Sequence, residues 1–277
     1  MTRGRASEDP LALARRIAEV VDGEGRRLAR IARRPVRIEA KKLPYDPVTA
    51  RDVETERRLR RALARLVPGA AFVGEEGGRR GRGTLTWVVD PIDGTSNFAA
   101  GLGIFGVAVA LLEGTRPVAA ACFDARSGET TLAALGRGAW RGRARLRIRG
   151  APANRPGPLA LYAASWRVSE SVSPLLRAMA PAPGKLRVLG CTVSHLLAVA
   201  EGRIAAAVQD RAKLWDVAAA GLIAAEAGAH VVDFAGRDLC PFPADALERT
   251  DRDYPFVAGT RAGVREALRR ITRHGAA

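Results

Sequence analysis

A chain of 277 residues that is 47% apolar can bury a substantial core, as one large unit or as two tightly packed lobes. No run of about 18 apolar residues free of charge occurs, which excludes a membrane-spanning helix, and the basic start Met1-Thr2-Arg3-Gly4-Arg5 leads into no apolar signal segment, so a cytoplasmic setting is expected. The formal net charge of +16, from 45 basic and 29 acidic residues, makes an anionic ligand or partner the natural complement.

Apolar periodicity predicts an amphipathic helix over about Pro10 to Arg33, a loop rich in Pro and Lys, and a second helix from about Ala50 to Val67. Thr49 followed by Asp52 reads as a capping box opening that second helix, so Asp52 is expected to be mainly structural, whereas Asp46 lies outside the box and is free to face a site. Apolar runs at 71–73, 85–89, 104–112, 117–123, 130–134 and 145–148 then alternate with glycine turns, the pattern of a meandering sheet packed beneath the helices. Pro152 to Pro158 is the best internal boundary, giving an N-terminal α+β lobe, 1–150, and a C-terminal α/β lobe, 151–277, packed as one unit. Beyond it strands and helices alternate: Leu159 to Ala164, a helix near Glu170 to Ala180, Leu186 to Leu189, and a helix near Val193 to Glu201. Ile204 to Val208, an alanine-rich helix from Val217 to about Ala227, Val231 to Asp233, and an arginine-rich helix, Ala262 to Arg273, complete the chain.

The most informative stretch is Trp87-Val-Val-Asp90-Pro-Ile-Asp93-Gly-Thr95-Ser-Asn97-Phe98, where an apolar strand runs into two carboxylates and a glycine turn. Asp90, Asp93 and the Ile92 carbonyl can converge on one point, and hard cations such as Mg²⁺ take such oxygen ligands. The N–H groups of Gly94, Thr95 and Ser96 then open a short helical turn able to cradle a phosphate oxygen. An Asx turn closing a strand would give the same local pattern. Two further acidic islands favour the site. Glu75 and Glu76 follow the short apolar run 71–73 in a glycine-rich loop, and Leu214-Trp215-Asp216 opens the alanine-rich helix. Each has a bland reading as well, Glu76 as a solvated loop charge and Asp216 as an acid at a helix N-terminus.

Taken together, Asp46-x-Val-Thr-x-x-Asp52, Gly74-Glu75-Glu76, Asp90-Pro-Ile-Asp-Gly-Thr95 and Trp215-Asp216-x-Ala-Ala resemble the inositol monophosphatase family over nearly the whole chain. The resemblance implies a layered αβαβα, α+β fold of the inositol monophosphatase and fructose-1,6-bisphosphatase type. It also implies a Mg²⁺-dependent, usually lithium-sensitive phosphomonoesterase, commonly a homodimer, with two or three ions per site. Carried over by position, Glu75, Asp90 and the Ile92 carbonyl would hold a first metal, and Asp90, Asp93 and Asp216 a second. Glu75 would reach a third through water. Asp46 and the Thr95 hydroxyl match the pair that orients the attacking water, and the Gly94 and Thr95 amides match the phosphate cradle. Such a site gathers positive charge around a doubly anionic ester and generates a nucleophile at neutral pH, with no covalent phosphoenzyme.

Departures from the family pattern sit on the substrate side. Gly190-Cys191-Thr192-Val193 stands where inositol-specific members carry Gly-Ser-Ala-Ala, and Gln209 stands where they carry an acid that contacts inositol hydroxyls. Asp210, adjacent, can substitute after a shift. A neutral Gln accepts a hydroxyl more weakly than a carboxylate. An inositol phosphate is therefore the leading substrate and histidinol phosphate the runner-up, with adenosine 3′,5′-bisphosphate and fructose 1,6-bisphosphate as further family substrates. Lys213 could meet an anionic substrate tail, although an exposed loop cation is the simpler reading.

Several other patterns carry less. Cys122, Cys191 and Cys240 have no C-x-x-C spacing and read as reduced thiols, and His195, His230 and His274 lack metal or triad spacing, which leaves a serine hydrolase poorly supported. Gly101-Leu-Gly103-Ile-Phe-Gly106 precedes a β-like run rather than a helix, so no dinucleotide site is expected, and Gly74 to Gly83 lacks the ending of a P-loop. The rival from another class is a basic, nucleic-acid- or protein-binding descendant. Its best candidate patch is Arg137 to Arg149, although only 5% aromatic residues leave few stacking platforms.

Overall fold

A computed structural model of the chain describes residues 9–32, 39–40, 47–148, 160–162, 174–179 and 186–273. Asp9 accepts from the Leu11 N–H and Pro10 takes the first helical position, which starts α1 (Pro10–Ile31). A two-residue ribbon, β1 (Glu39–Ala40) against β2 (Pro47–Val48), leads to α2 (Ala50–Leu66), which the Thr49/Asp52 capping box closes as the sequence predicts. β3 (Ala71–Gly74), β4 (Gly78–Arg80) and β5 (Leu85–Asp93) follow, then the short α3 (Thr95–Ala99). The sheet continues through β6 (Gly106–Glu113), β7 (Arg116–Asp124), β8 (Glu129–Ala134), β9 (Gly138–Arg141) and β10 (Ala144–Leu146). The remaining elements are β11 (Ala160–Tyr162), α4 (Pro174–Met179), α5 (Thr192–Ala200), β12 (Ala206–Gln209), α6 (Leu214–Glu226), β13 (His230–Val232), β14 (Phe256–Gly259) and α7 (Arg261–Arg273).

Two sheets organise these elements. The eight-stranded sheet runs β10-β9-β8-β7-β6-β5-β3-β4, an antiparallel meander from β5 to β10 with β3 parallel to β5 and β4 at the edge. The four-stranded sheet runs β11-β12-β14-β13, with only β11 and β12 parallel. Both faces of the large sheet are covered, which is why its strands read as continuous apolar runs rather than alternating ones. On one face Trp87, Val89, Val107 and Phe123 meet Ile17, Val21 and Leu28 of α1 and Leu59 and Leu63 of α2. The opposite residues, Val88, Ala110 and Cys122, meet Val193 and Leu196 of α5 and Val217 and Ile223 of α6.

α6 is buried continuously from Val217 to Ala224, because it lies between two sheets and has no solvent face, so small alanines fill it. On the far side of the small sheet, Leu175 and Met179 of α4 and Val264 and Ile271 of α7 pack against Val208 and Val257. The layers are thus αβαβα, an α+β fold. Among the described residues no helix is long and apolar enough to cross a membrane. One predicted strand does not join either sheet among the described residues: Leu186 to Leu189 has only an isolated bridge at Arg187, and side chains take both backbone groups of Leu189. The boundary expected at Pro152 to Pro158 and the start of the helix expected from Glu170 lie outside the described residues.

Candidate active site

The site forms where β5 ends. This nine-residue strand is buried from Thr86 to Asp93, and its pairing with β6 shifts register between Asp90 and Asp93. Pro91 has no N–H to give to the ladder, and the bulge bends the strand beneath the turn that follows. Gly94 takes φ +87°, and a Cβ there would stand 3.0 Å from both the Gly190 and Ile104 carbonyl oxygens. Only glycine meets both demands. α3 begins at once, and its first hydrogen-bonded donor is Phe98 N–H to Gly94 O (2.9 Å), so the earlier N–H groups of Thr95 and Ser96 precede the helical ladder.

Four acids from three elements share this end of the sheet. Asp90 is buried, with Oδ1 accepting from Ile92 N–H (3.0 Å), and its pKa is pushed well up by burial first and then by the negative charge of Glu75, Asp93, Asp216 and Asp52. Asp93 is also buried. Its Oδ2 accepts from the Cys191 thiol (3.1 Å) and from Val193 N–H at the start of α5, donors that oppose the upward push of burial. Asp216, in the first turn of α6, accepts from Lys213 N–H (2.7 Å) and is likewise pushed well up by burial, Asp93 and Glu75. Glu75 follows β3 directly and donates its N–H to Val89 O of β5 (3.3 Å).

The structure therefore brings Glu75, Asp90, Asp93 and Asp216 into one electrostatic neighbourhood. It does not close them on a point: among the described residues no three Asp, Glu, His or Cys side chains form a group that could hold an ion as they stand. Each aspartate instead has an oxygen on a backbone N–H. The donor set fits a hard divalent cation, being all oxygen and all anionic. A positive ion would reverse the repulsion that holds these acids up.

Thr95 corrects the sequence-based reading of Asp52. The Thr95 hydroxyl lies 3.0 Å from Asp52 Oδ1 and 2.9 Å from the Ile92 carbonyl oxygen, and its one proton can go to one of them at a time. The other oxygen of Asp52 accepts from Thr49 N–H (2.8 Å) and the Thr49 hydroxyl (2.6 Å). Asp52 thus caps α2 and holds Thr95 as well. The capping motif accounted for one carboxylate oxygen and concealed the second. Asp46 lies outside the described residues.

On the substrate side, Thr192 and Gln209 are buried and bonded to each other, hydroxyl to amide oxygen at 2.9 Å, and the Gln209 amide donates to Arg211 O (2.8 Å). Asp210, next along, has a buried Oδ1 with no hydrogen-bond partner, and burial raises its pKa. Lys213 is spent on Asp253 (2.8 Å) and the Asp251 carbonyl. Two residues that sequence reasoning missed fix the neighbouring loop. Asn97 donates to Leu189 O (2.7 Å) and Gly190 O (3.3 Å), and His195 Nε2 accepts from Leu189 N–H (3.1 Å). Burial lowers the His195 pKa to about 4, so the ring is neutral and carries its proton on Nδ1, which has no partner. The one signal for Asn97 was its place two residues after Thr95.

Comparison with known proteins identifies the family and the fold. The model of the inositol monophosphatase family matches residues 11–271. An inositol-1-monophosphatase, SuhB, from Mycobacterium tuberculosis is 39% identical over 206 residues, covering 70% of this chain and 71% of that one. A histidinol-phosphatase from the same organism is 32% identical over 246 residues, covering 83% and 89%. Among solved structures, the extragenic suppressor protein suhB from Bartonella henselae superposes with a TM-score of 0.79 at 26% identity, over 95% of this chain and 99% of that one.

Proposed function

The chain belongs to the inositol monophosphatase family, and from that premise we propose that it hydrolyses a small-molecule phosphate monoester in a Mg²⁺-dependent reaction, with inositol 1-phosphate or a related inositol phosphate as the leading substrate. The observation that carries this reading is the condition of Asp90, Asp93 and Asp216. Burial and their negative neighbours hold all three above the ordinary carboxylate range, beside Glu75 and a glycine turn that exposes N–H groups.

In this proposal Glu75, Asp90 and the Ile92 carbonyl would hold one Mg²⁺, Asp90, Asp93 and Asp216 would hold a second, and Glu75 would serve a third through water. Bound there, Mg²⁺ would lower the pKa of water and offset the charge that develops on the phosphoryl group and the leaving oxygen. Asp46 and Thr95 orient the attacking water. The Thr95 hydroxyl has one proton, for Asp52 Oδ1 or the Ile92 carbonyl oxygen, and its lone pairs would serve to position that water. The N–H groups of Gly94, Thr95 and Ser96 receive phosphate oxygens. Gly190, Cys191 and Thr192 form the rim over the substrate, with Asp210 rather than Gln209 supplying an anionic acceptor, because Gln209 is bonded to Thr192.

In this reading the site draws Asp216 and the rim from a C-terminal lobe, 151–277, and the other ligands from an N-terminal lobe, 1–150. Exposed Leu102 and Val188 offer apolar surface for a homodimer, and the three free cysteines suit a cytoplasmic setting. Histidinol phosphate is the second reading, favoured by the partnerless Asp210 oxygen, which suits a cationic substrate amine as well as a hydroxyl.

The test is phosphate release with Mg²⁺, with and without lithium, from inositol 1-phosphate, histidinol phosphate, adenosine 3′,5′-bisphosphate and fructose 1,6-bisphosphate. Inositol 1-phosphate is expected to turn over fastest, with inhibition by lithium. A preference for histidinol phosphate would install the second reading. Release from none of them, with Mg²⁺ binding measured independently, would mean either a phosphate ester outside this set or a binding role.

A further inference from the structure

In the 137–149 segment, exposed Arg143 and Arg147 make no ion pair among the described residues, while the other described arginines have contacts. Arg137 pairs with Asp9 (3.2 Å), Arg141 with Glu129 (2.8 Å) and Glu201 (2.7 Å), and Arg145 lies over the Trp140 ring (5.7 Å to its centre). A regular row of unpaired charge lies on the outer face of α2. Arg57, Arg61 and Arg65 are exposed and half-exposed Arg60 lies beside them, and none of the four makes an ion pair or a side-chain hydrogen bond among the described residues. The acids within reach are committed inward: Glu54 to Arg27 and Arg51, Glu24 to Arg27 and Arg58, and Glu56 to the Glu76 N–H.

Arg57, Arg61 and Arg65 stand at i, i+4 and i+8, one above the next at steps of about 6 Å along the axis. Like charges at that spacing destabilise a helix. The stripe is therefore an expense to α2 that no internal contact offsets. At the open edge of the large sheet, exposed Arg80 and Arg82 flank the end of β4. A Cβ placed on Gly77 would lie 3.6 Å from Arg80 Nε and 2.5 Å from Glu56 Oε1, which puts that guanidinium beside α2. No aromatic side chain lies on α2 or β4.

We propose that the outer face of α2 and the adjoining β4 edge bind the phosphate backbone of a nucleic-acid duplex. The partner follows from charge complementarity and shape. A straight helix of 17 residues carrying a guanidinium row meets a rigid polyphosphate, whereas a single strand is held by stacking on aromatics, which this face lacks. Without groups to read bases, the binding is independent of sequence and strongly dependent on salt.

α7 supplies an internal control. Arg261, Arg265 and Arg273 are also exposed and without ion pairs among the described residues, but they lie on the far side of the small sheet. Duplex RNA binding by the full chain is measured by fluorescence anisotropy from about 50 mM to 200 mM salt, for wild type, for Arg57→Gln/Arg61→Gln/Arg65→Gln and for Arg261→Gln/Arg265→Gln/Arg273→Gln. Both triple variants lower the net charge by three. The α2 variant is expected to bind at least ~10-fold more weakly at low salt and to lose about 0.9 of salt slope per arginine removed. The α7 variant should stay within about twofold of wild type, and phosphate release should be unchanged in both.

Equal losses in the two variants would overturn the proposal in favour of diffuse net charge. So would tighter binding of a single strand than of duplex, displacement of the duplex by polyglutamate at equal charge concentration, or no wild-type binding at low salt. If the α2 triple variant unfolds by circular dichroism, Arg61→Glu replaces it with the same expectation.

Discussion

Asp93 serves two parts of the molecule at once, closing β5 and receiving the donors that start α5. Asp93→Asn keeps a carbonyl oxygen for Val193 N–H and removes the charge proposed for the second ion. Turnover is expected to fall at least ~100-fold with a Tm change of a few degrees or less; retained turnover in a steady-state assay would remove Asp93 from the ligand set. His195 gives a pH signature that activity does not. Its pKa of about 4 in the fold lies below the ordinary value of 6.5, so the unfolded chain binds the proton first. The contribution is fully present above pH 6.5, is lost as pH falls, and is gone below about 4, an effect on the order of 3 kcal/mol. In urea unfolding at pH 7 and pH 5, His195→Asn should flatten the difference relative to wild type, and parallel slopes would show that the ring does not titrate this way. Neither Asp52's second contact nor His195's place was legible in sequence, because both depend on what a distant segment brings. Thr95 comes from the turn after β5, 43 residues on, and Leu189 from a loop that sequence reads as a strand.

At the scale of elements, local signals served wherever an element carried its own pattern. The capped, amphipathic α1 and α2 and the doubly buried strands β5 to β8 were legible because caps and unbroken apolar runs are written within the segment. β4, Gly-Arg-Arg, and β9 were not, since short strands near a sheet edge carry polar residues and take their conformation from a neighbour. β14 is four residues long and follows an Asp/Arg/Pro segment that reads as loop. Packing can also reverse a local preference. Gly25 lies inside α1, where alanine would ordinarily be favoured by about 1 kcal/mol, yet a Cβ there would stand 2.1 Å from Phe123 Cγ. Gly25→Ala should lower stability by about 1–3 kcal/mol in denaturant unfolding. A stabilised variant would mean that α1 can lift from the sheet at little cost.

For the whole molecule, the acids at the end of β5 set a relation between pH, cation and stability. Asp90, Asp93 and Asp216 are all raised, so the folded state holds their protons longer than the unfolded chain does. Without a cation their contribution is greatest below the ordinary value near 4, and it declines as pH rises from there through the raised values. Cations that bind the ionised form offset this decline. The rise in Tm on adding Mg²⁺ is therefore expected to be larger at pH 7.5 than at pH 5, and should shrink in Asp216→Asn. A Tm rise independent of pH would argue that Mg²⁺ binds away from these carboxylates. Asp216 comes from α6, between the sheets, while Asp90 and Asp93 come from β5, so a cation held by all three would tie the central layer to the large sheet.

The register shift in β5 bears on how this chemistry is inherited. In an unbroken strand, residues an odd number apart point to opposite faces, and Asp90 and Asp93 would be divided between the helix layers. Three steps on β5 are matched by two on β6, Asp90 opposite Ala108 and Asp93 opposite Gly106. The extra residue restores a common side. What must be preserved across descendants is then a count as much as a set of side chains. A lineage can exchange either of the two residues between these acids more readily than it can lose or gain one.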